Sequence, residues 1–224
     1  IERLTHDLNG LATSYWWAHA SGTGGEPGGG GTEIFPANVA HLVPANNGRF
    51  PVGNFFNLGV TPLFSFTASF RTTVVGQVVT QAIICKSAGV LPNYEMTLAL
   101  SGQISCRMYT SVGGGANRAN VTTVNTFHDA QPHVVVATLD RVAKTWTIYV
   151  DDVLQTLTNI DIVGDPLLDC TSTADFIIGA REQSDFDFNG DIHAVGVVVG
   201  ADLLDHREEI FNDGIPKCYG IMSE

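Results

Sequence analysis

The sequence predicts an all-β fold: a two-sheet antiparallel β-sandwich with one short C-terminal helix. Three observations predict it. Apolar and hydroxyl residues alternate with period two in segment after segment, turn residues recur every eight to twelve positions, and helical spacing occurs once, near the end.

The elements follow in chain order. Residues 1–20 carry Tyr15, Trp16 and Trp17 near their end and read either as an arm or as a first strand. Residues 21–31 hold seven glycines, whose backbone entropy keeps them out of strand and helix, so they form a loop or linker; the sandwich proper is expected over 32–224. In 63–71, Phe64, Phe66, Ala68 and Phe70 alternate with Ser65, Thr67, Ser69 and Arg71, an aromatic row inward and a hydroxyl row outward. Residues 78–86 are a continuous apolar run, as in a strand central in its sheet. Tyr94, Met96, Leu98 and Leu100 run into a turn at Ser101-Gly102, and Ile104, Cys106 and Met108 run back, which makes a hairpin. A glycine loop at 113–118 precedes weaker strand signal through Val121 and Val124. Residues 133–140, a turn at 141–144, and Trp146, Ile148 and Val150 make a second hairpin, ending in the turn Asp151-Asp152. Strands at 175–179 and 190–199 complete the set. Asp202 caps a helix carrying Leu203, Leu204, Ile210 and Phe211, ended by Gly214 and Pro216 and expected on the sandwich edge.

Composition narrows the function. Charged residues are 15% of the chain against about 25% in an ordinary domain. The net charge of -12 repels phosphate backbones and anionic lipid, so no nucleic-acid partner is expected. Apolar residues at 44% supply a large core, but no run is long enough to span a bilayer, so no membrane insertion is expected. The four cysteines, Cys85, Cys106, Cys170 and Cys218, lack zinc-ligand spacing and allow three disulfide pairings; free thiols are the preferred reading because Cys106 alternates with Ile104 and Met108 as a core residue.

The ordered succession His133-Val-Val-Val-Ala-Thr-Leu-Asp140, Thr147-Ile-Tyr-Val-Asp-Asp152, Phe176-Ile-Ile-Gly179, Phe188-Asn-Gly-Asp-Ile192 and Leu203 to Gly214 resembles the C-terminal half of a laminin G-like or pentraxin-like domain. These belong to the concanavalin A-like jelly-roll superfamily; Asp152 stands where that pattern carries Gly. The resemblance, over about residues 48–214, implies a jelly roll with one sheet often concave and used for binding. Fold alone leaves function open. Superfamily members that hydrolyse β-glucans carry Glu-x-Asp-x-x-Glu, and Glu182-Gln-Ser-Asp185-Phe-Asp187 has neither that spacing nor that order.

Two candidate sites remain. Asp185, Asp187 and Asn189 at alternate positions before a Gly read like the first half of a calcium loop, and Glu182-Gln183 with Asp185 resembles the stretch in which pentraxins hold calcium. No other cofactor is implied. Read instead as a strand, the same residues alternate outward oxygens with inward Phe186 and Phe188. Trp16 and Trp17 are the candidate ligand-binding aromatics, one of an adjacent pair facing outward in extended backbone. His133 is expected as a packing residue, and Asp151 and Asp152 as turn formers.

The leading expectation is a non-catalytic recognition or adhesion module, lectin-like or a decorating subunit on the exterior of a virion or cell. It would contact glycans or neighbouring surface proteins within an oligomer or larger assembly. By resemblance, such modules are familiar on the exterior and tail of tailed phages. One alternative is a purely structural virion subunit acting through protein–protein assembly. Another is a polysaccharide-cleaving glycoside hydrolase with an atypical carboxylate pair drawn from Glu182, Asp185 and Asp187.

Overall fold

The computed structural model describes residues 2–8, 11–17, 40–42, 50–54, 56–73, 79–87, 92–110, 114–181, 186–200, 202–204 and 207–211. Among the described residues, fifteen strands, a short α-helix and a 3-10 turn at Gly114–Ala116 make up the regular structure. A six-stranded sheet has the order β12 (Val153–Leu154), β11 (Thr145–Val150), β10 (Pro132–Asp140), β5 (Leu63–Thr72), β15 (Gly190–Val199) and β3 (Ala40–Leu42). Against it lies a seven-stranded sheet ordered β13 (Leu157–Val163), β9 (Arg118–Thr126), β8 (Gln103–Tyr109), β7 (Pro92–Leu98), β6 (Gln81–Ser87), β14 (Phe176–Ile178) and β4 (Phe50–Gly53). All pairings are antiparallel. β1 (Glu2–Leu8) and β2 (Leu11–Trp17) form a separate hairpin, with β2 beside β15. The glycine-rich stretch 21–31 lies outside the described residues.

The alternation read from the sequence builds the core. Phe64, Phe66, Ala68 and Phe70 of β5 face Tyr94, Met96 and Leu98 of β7 and Ile104, Cys106 and Met108 of β8, all buried. Phe64 meets the rings of Phe66 and Tyr94 at 4.9 Å each, arrangements that add directional ring–ring attraction to area burial. Trp146 of β11 donates its indole N–H to the Ala119 carbonyl of β9 at 3.2 Å, so one side chain ties the two sheets. β6 is buried along its whole length between β7 and β14, as expected of an interior strand, with Gln81, Lys86 and Ser87 buried beside its apolar residues.

The helix differs from expectation. Helix α1 spans Arg207–Phe211 among the described residues, and it covers a face of the six-stranded sheet instead of an edge. Leu203, Ile210 and Phe211 pack on Val134, Val136 and Val198, so β10 and β15 are buried on both sides. Asp202 does cap the turn that leads into it, accepting from the Leu204 amide at 2.8 Å and the Thr138 hydroxyl at 2.9 Å. Cys85, Cys106 and Cys170 are buried free thiols, and Cys218 lies outside the described residues.

Candidate site on the outer face of the seven-stranded sheet

Cross-strand register decides which polar residues meet. On the core side, Ile84, Met96, Cys106 and Val121 line up; one residue on, the outward row reads Ile177, Cys85, Glu95, Arg107, Asn120 and Asp161 across six strands. Arg107 and Tyr109 alternate on β8 and therefore share this outer face, opposite Asn120 and Arg118 of β9.

Glu95 is the fixed point. Its carboxylate is fully buried and takes a two-pronged hydrogen bond from Arg181, Nε to Oε2 at 2.8 Å and the second guanidinium nitrogen to Oε1 at 2.7 Å. Arg181 is itself held under the Phe186 ring, 4.0 Å from the centroid, and the Phe186 carbonyl accepts from the Ala82 amide of β6. Arg107 makes one longer contact to Glu95, 3.4 Å, and its side chain is 38% exposed. Farther along, Arg118 pairs with Asp161 through two bonds of 2.5 and 3.0 Å, and its pKa is pushed up chiefly by hydrogen bonding to that carboxylate. Asn120 donates to the Tyr109 hydroxyl at 3.1 Å. Its own carbonyl oxygen and the Thr97 hydroxyl on the same face are buried without a hydrogen-bond partner among the described residues.

The electrostatics run against the bulk of the chain. Three guanidinium groups meet two carboxylates here, in a protein of net charge -12. Arg107, part-exposed with one long contact and backed by the buried Glu95 carboxylate, keeps N–H groups that Glu95 does not engage on the same face as Tyr109.

The residues singled out by sequence are placed as follows. Trp16 and Trp17 end β2 opposite Arg3 and Glu2, and their side chains lie outside the described structure. Glu182 and Asp185 lie outside the described residues. Asn189 is engaged by the loop itself: its side-chain oxygen accepts from the Thr73 hydroxyl at 2.8 Å. Among the described residues no three His, Cys, Asp or Glu side chains converge on a metal position. Residues 186–189 are loop rather than strand, with Phe186 at φ 60° and Phe188 buried in the core, so only Phe188 follows the alternation.

His133 packs on Phe127 and Phe70 as expected, but it is also an ionic link. Nδ1 lies 2.7 Å from Asp151 and Nε2 3.0 Å from Asp129. Burial is the largest influence and lowers its pKa; hydrogen bonds and charges from Asp151 and Asp129 outweigh it and leave the value raised. Asp151 and Asp152 form the tight turn, both at positive φ, and Asp152 also pairs with Arg207 of α1 at 2.8 Å.

Glu95, Arg107 and Arg181 were not singled out by sequence. Half the signal was there: a hairpin turning at residues 101–102 with Met96 opposite Cys106 must also set Glu95 opposite Arg107. Arg181 arrives through the long-range pairing of β14 with β6, which no local pattern encodes.

Comparison with known proteins agrees with this architecture. No curated protein matches the sequence. Among solved structures, the carbohydrate-binding module CBM40 of the Ruminococcus gnavus IT-sialidase, bound to α2,3-sialyllactose, aligns with TM-score 0.50 at 11% identity, over 71% of this chain and 93% of that one. A point mutant of the NanB sialidase from Streptococcus pneumoniae aligns with TM-score 0.54 at 16% identity, over 75% of this chain but only 26% of the sialidase. At such identities the likeness is one of fold. Residues 45–201 match the laminin G family model described as the concanavalin A-like lectin/glucanases superfamily, and the chain belongs to that family.

Proposed function

We propose that this chain is a non-catalytic carbohydrate-binding module that recognises an acidic glycan on the outer face of the seven-stranded sheet, acting outside a cell or on a virion surface. The observation that carries the reading is the arginine cluster around Glu95 in an otherwise acidic protein. A sugar carboxylate would take the N–H groups of Arg107 that Glu95 does not engage, a charge-assisted contact of the planar kind guanidinium favours. Glu95 holds the guanidinium groups in place, and Tyr109 offers an aromatic face and hydroxyl beside them. The fold likeness to a module whose structure contains sialyllactose makes sialylated glycans the first ligands to try.

Titration calorimetry of the intact chain with 3′-sialyllactose and with lactose tests this. Binding of the sialylated sugar alone is expected. Arg107→Ala should weaken it by about 10- to 100-fold, the range for losing a hydrogen bond to a charged group. Equal binding of lactose, or an unaffected Arg107→Ala protein, would overturn the assignment.

A further inference from the structure

Lys86 sits on the inward side of β6, fully buried, in the cross-strand row Gly53, Phe176, Lys86, Tyr94. Its amine reaches past β14, donating to the Ala174 carbonyl at 2.7 Å and to the side-chain oxygen of Asn54, just after β4, at 2.9 Å. The surroundings are aromatic: Phe176 packs on Phe56 at 5.1 Å and on Tyr94 at 6.3 Å. Burial, only partly opposed by the charge of Asp175, brings the Lys86 pKa down to about 8, so a substantial fraction of the amine is neutral and nucleophilic in mildly alkaline solution. The Asn54 oxygen has a second donor, the side-chain amide of Asn57 at 3.3 Å, which polarises the carbonyl and faces the charge that would develop on it.

We propose that Lys86 and Asn54 join in an intramolecular isopeptide bond. The Lys86 ammonium first loses a proton to solvent, and the neutral amine attacks the Asn54 side-chain carbonyl carbon. In the tetrahedral adduct the Asn57 amide holds the oxyanion, and the proton on the attacking nitrogen passes through solvent to the departing amide nitrogen of the exposed Asn54 side chain. The old carbon–nitrogen bond breaks, ammonia leaves, and one amide replaces another with no change of oxidation state. Holding amine and amide in contact supplies the effective concentration that makes so slow an exchange feasible. The product fastens the end of β4, the edge strand of its sheet, covalently to the interior strand β6.

Intact-mass measurement of the purified chain after denaturation tests the proposal. The expected mass is lower than the sequence mass by one ammonia, and proteolysis should release a branched peptide joining residues 54 and 86. Asn54→Ala, a change at an exposed position, should carry its full mass while keeping the native circular dichroism, and so should Lys86→Met. Full sequence mass for the folded wild-type chain, even after prolonged incubation at about pH 9 where the amine is neutral, would overturn the proposal. So would loss of ammonia persisting in Lys86→Met, which would trace it to another asparagine such as Asn189 before Gly190.

Discussion

Arg141 opens the β10–β11 turn, yet its side chain is fully buried. Its guanidinium donates to four backbone carbonyls: Pro166 at 2.6 Å, Thr61 at 2.6 Å, Leu168 at 2.7 Å and Gly59 at 3.0 Å. Two connections with no regular structure, one before β5 and one between β13 and β14, are thereby held by a single side chain. Arg141→Met keeps the volume and removes every donor. Gly59 retains the Cys170 amide at 3.1 Å, so three carbonyls lose this partner. Each buried acceptor left unpaired costs about 1–3 kcal/mol, and because these loops border solvent the lower end applies, giving about 3 kcal/mol in total. Relief from burying the guanidinium, which already lowers its pKa, trims that figure without reversing it. Urea unfolding followed by tryptophan fluorescence should show the midpoint falling by about 1 M for a slope of about 3 kcal/mol per M. Arg141→Lys should recover only part of the loss, since one ammonium does not span four acceptors. A loss below about 1 kcal/mol for Arg141→Met would refute the reasoning, because water would then satisfy these carbonyls as well as the arginine does.

Two further outcomes follow from the geometry. Because the His133 pKa is raised in the fold, its stabilisation is complete below the unfolded value of about 6.5 and is lost as pH rises through the folded value. The urea midpoint should therefore fall as pH rises above about 6.5 in the wild type and stay flatter in His133→Gln; parallel profiles would remove His133 from the account. Gly190 begins β15 where an added Cβ would collide with the Arg71 carbonyl and crowd Thr72, so Gly190→Ala should cost about 1–3 kcal/mol by thermal melting, and a neutral change would show that β5 can give way.

What the sequence discloses depends on whether a strand's partners are written in its own period. β5, the β7–β8 hairpin, β10, β11 and β15 are legible because each alternates toward a single shared core. β13 is not. A register shift between Thr158 and Asp161, with Asn159 at φ 49°, breaks its alternation and leaves Ile160 exposed. The covering position of α1 was within reach: Val134 and Val136 share one side of β10 while Val135 faces the other, and three consecutive valines demand burial on both. Arg141 gave no such sign, since nothing local marks a turn arginine whose acceptors lie 80 and 25 residues away.

The same contrast bears on where a ligand binds. The two sheets share one core but differ on their outer faces. The six-stranded sheet spends its outer face on Leu203, Ile210 and Phe211, an apolar cover that leaves Val134, Val136 and Val198 dry. On the seven-stranded sheet the equivalent layer contains Glu95, Arg107, Arg118, Asn120 and Asp161, with Arg181 closing over one end. A buried carboxylate with two arginines stabilises a sheet no better than well-packed apolar side chains of similar volume. Stability therefore does not account for the arrangement, whereas the proposed presentation of Arg107 to an anion would. The cost of burying Glu95 is balanced by Arg181, which leaves Arg107 part-exposed on the same face as Tyr109 and able to turn positive charge outward in a strongly acidic chain.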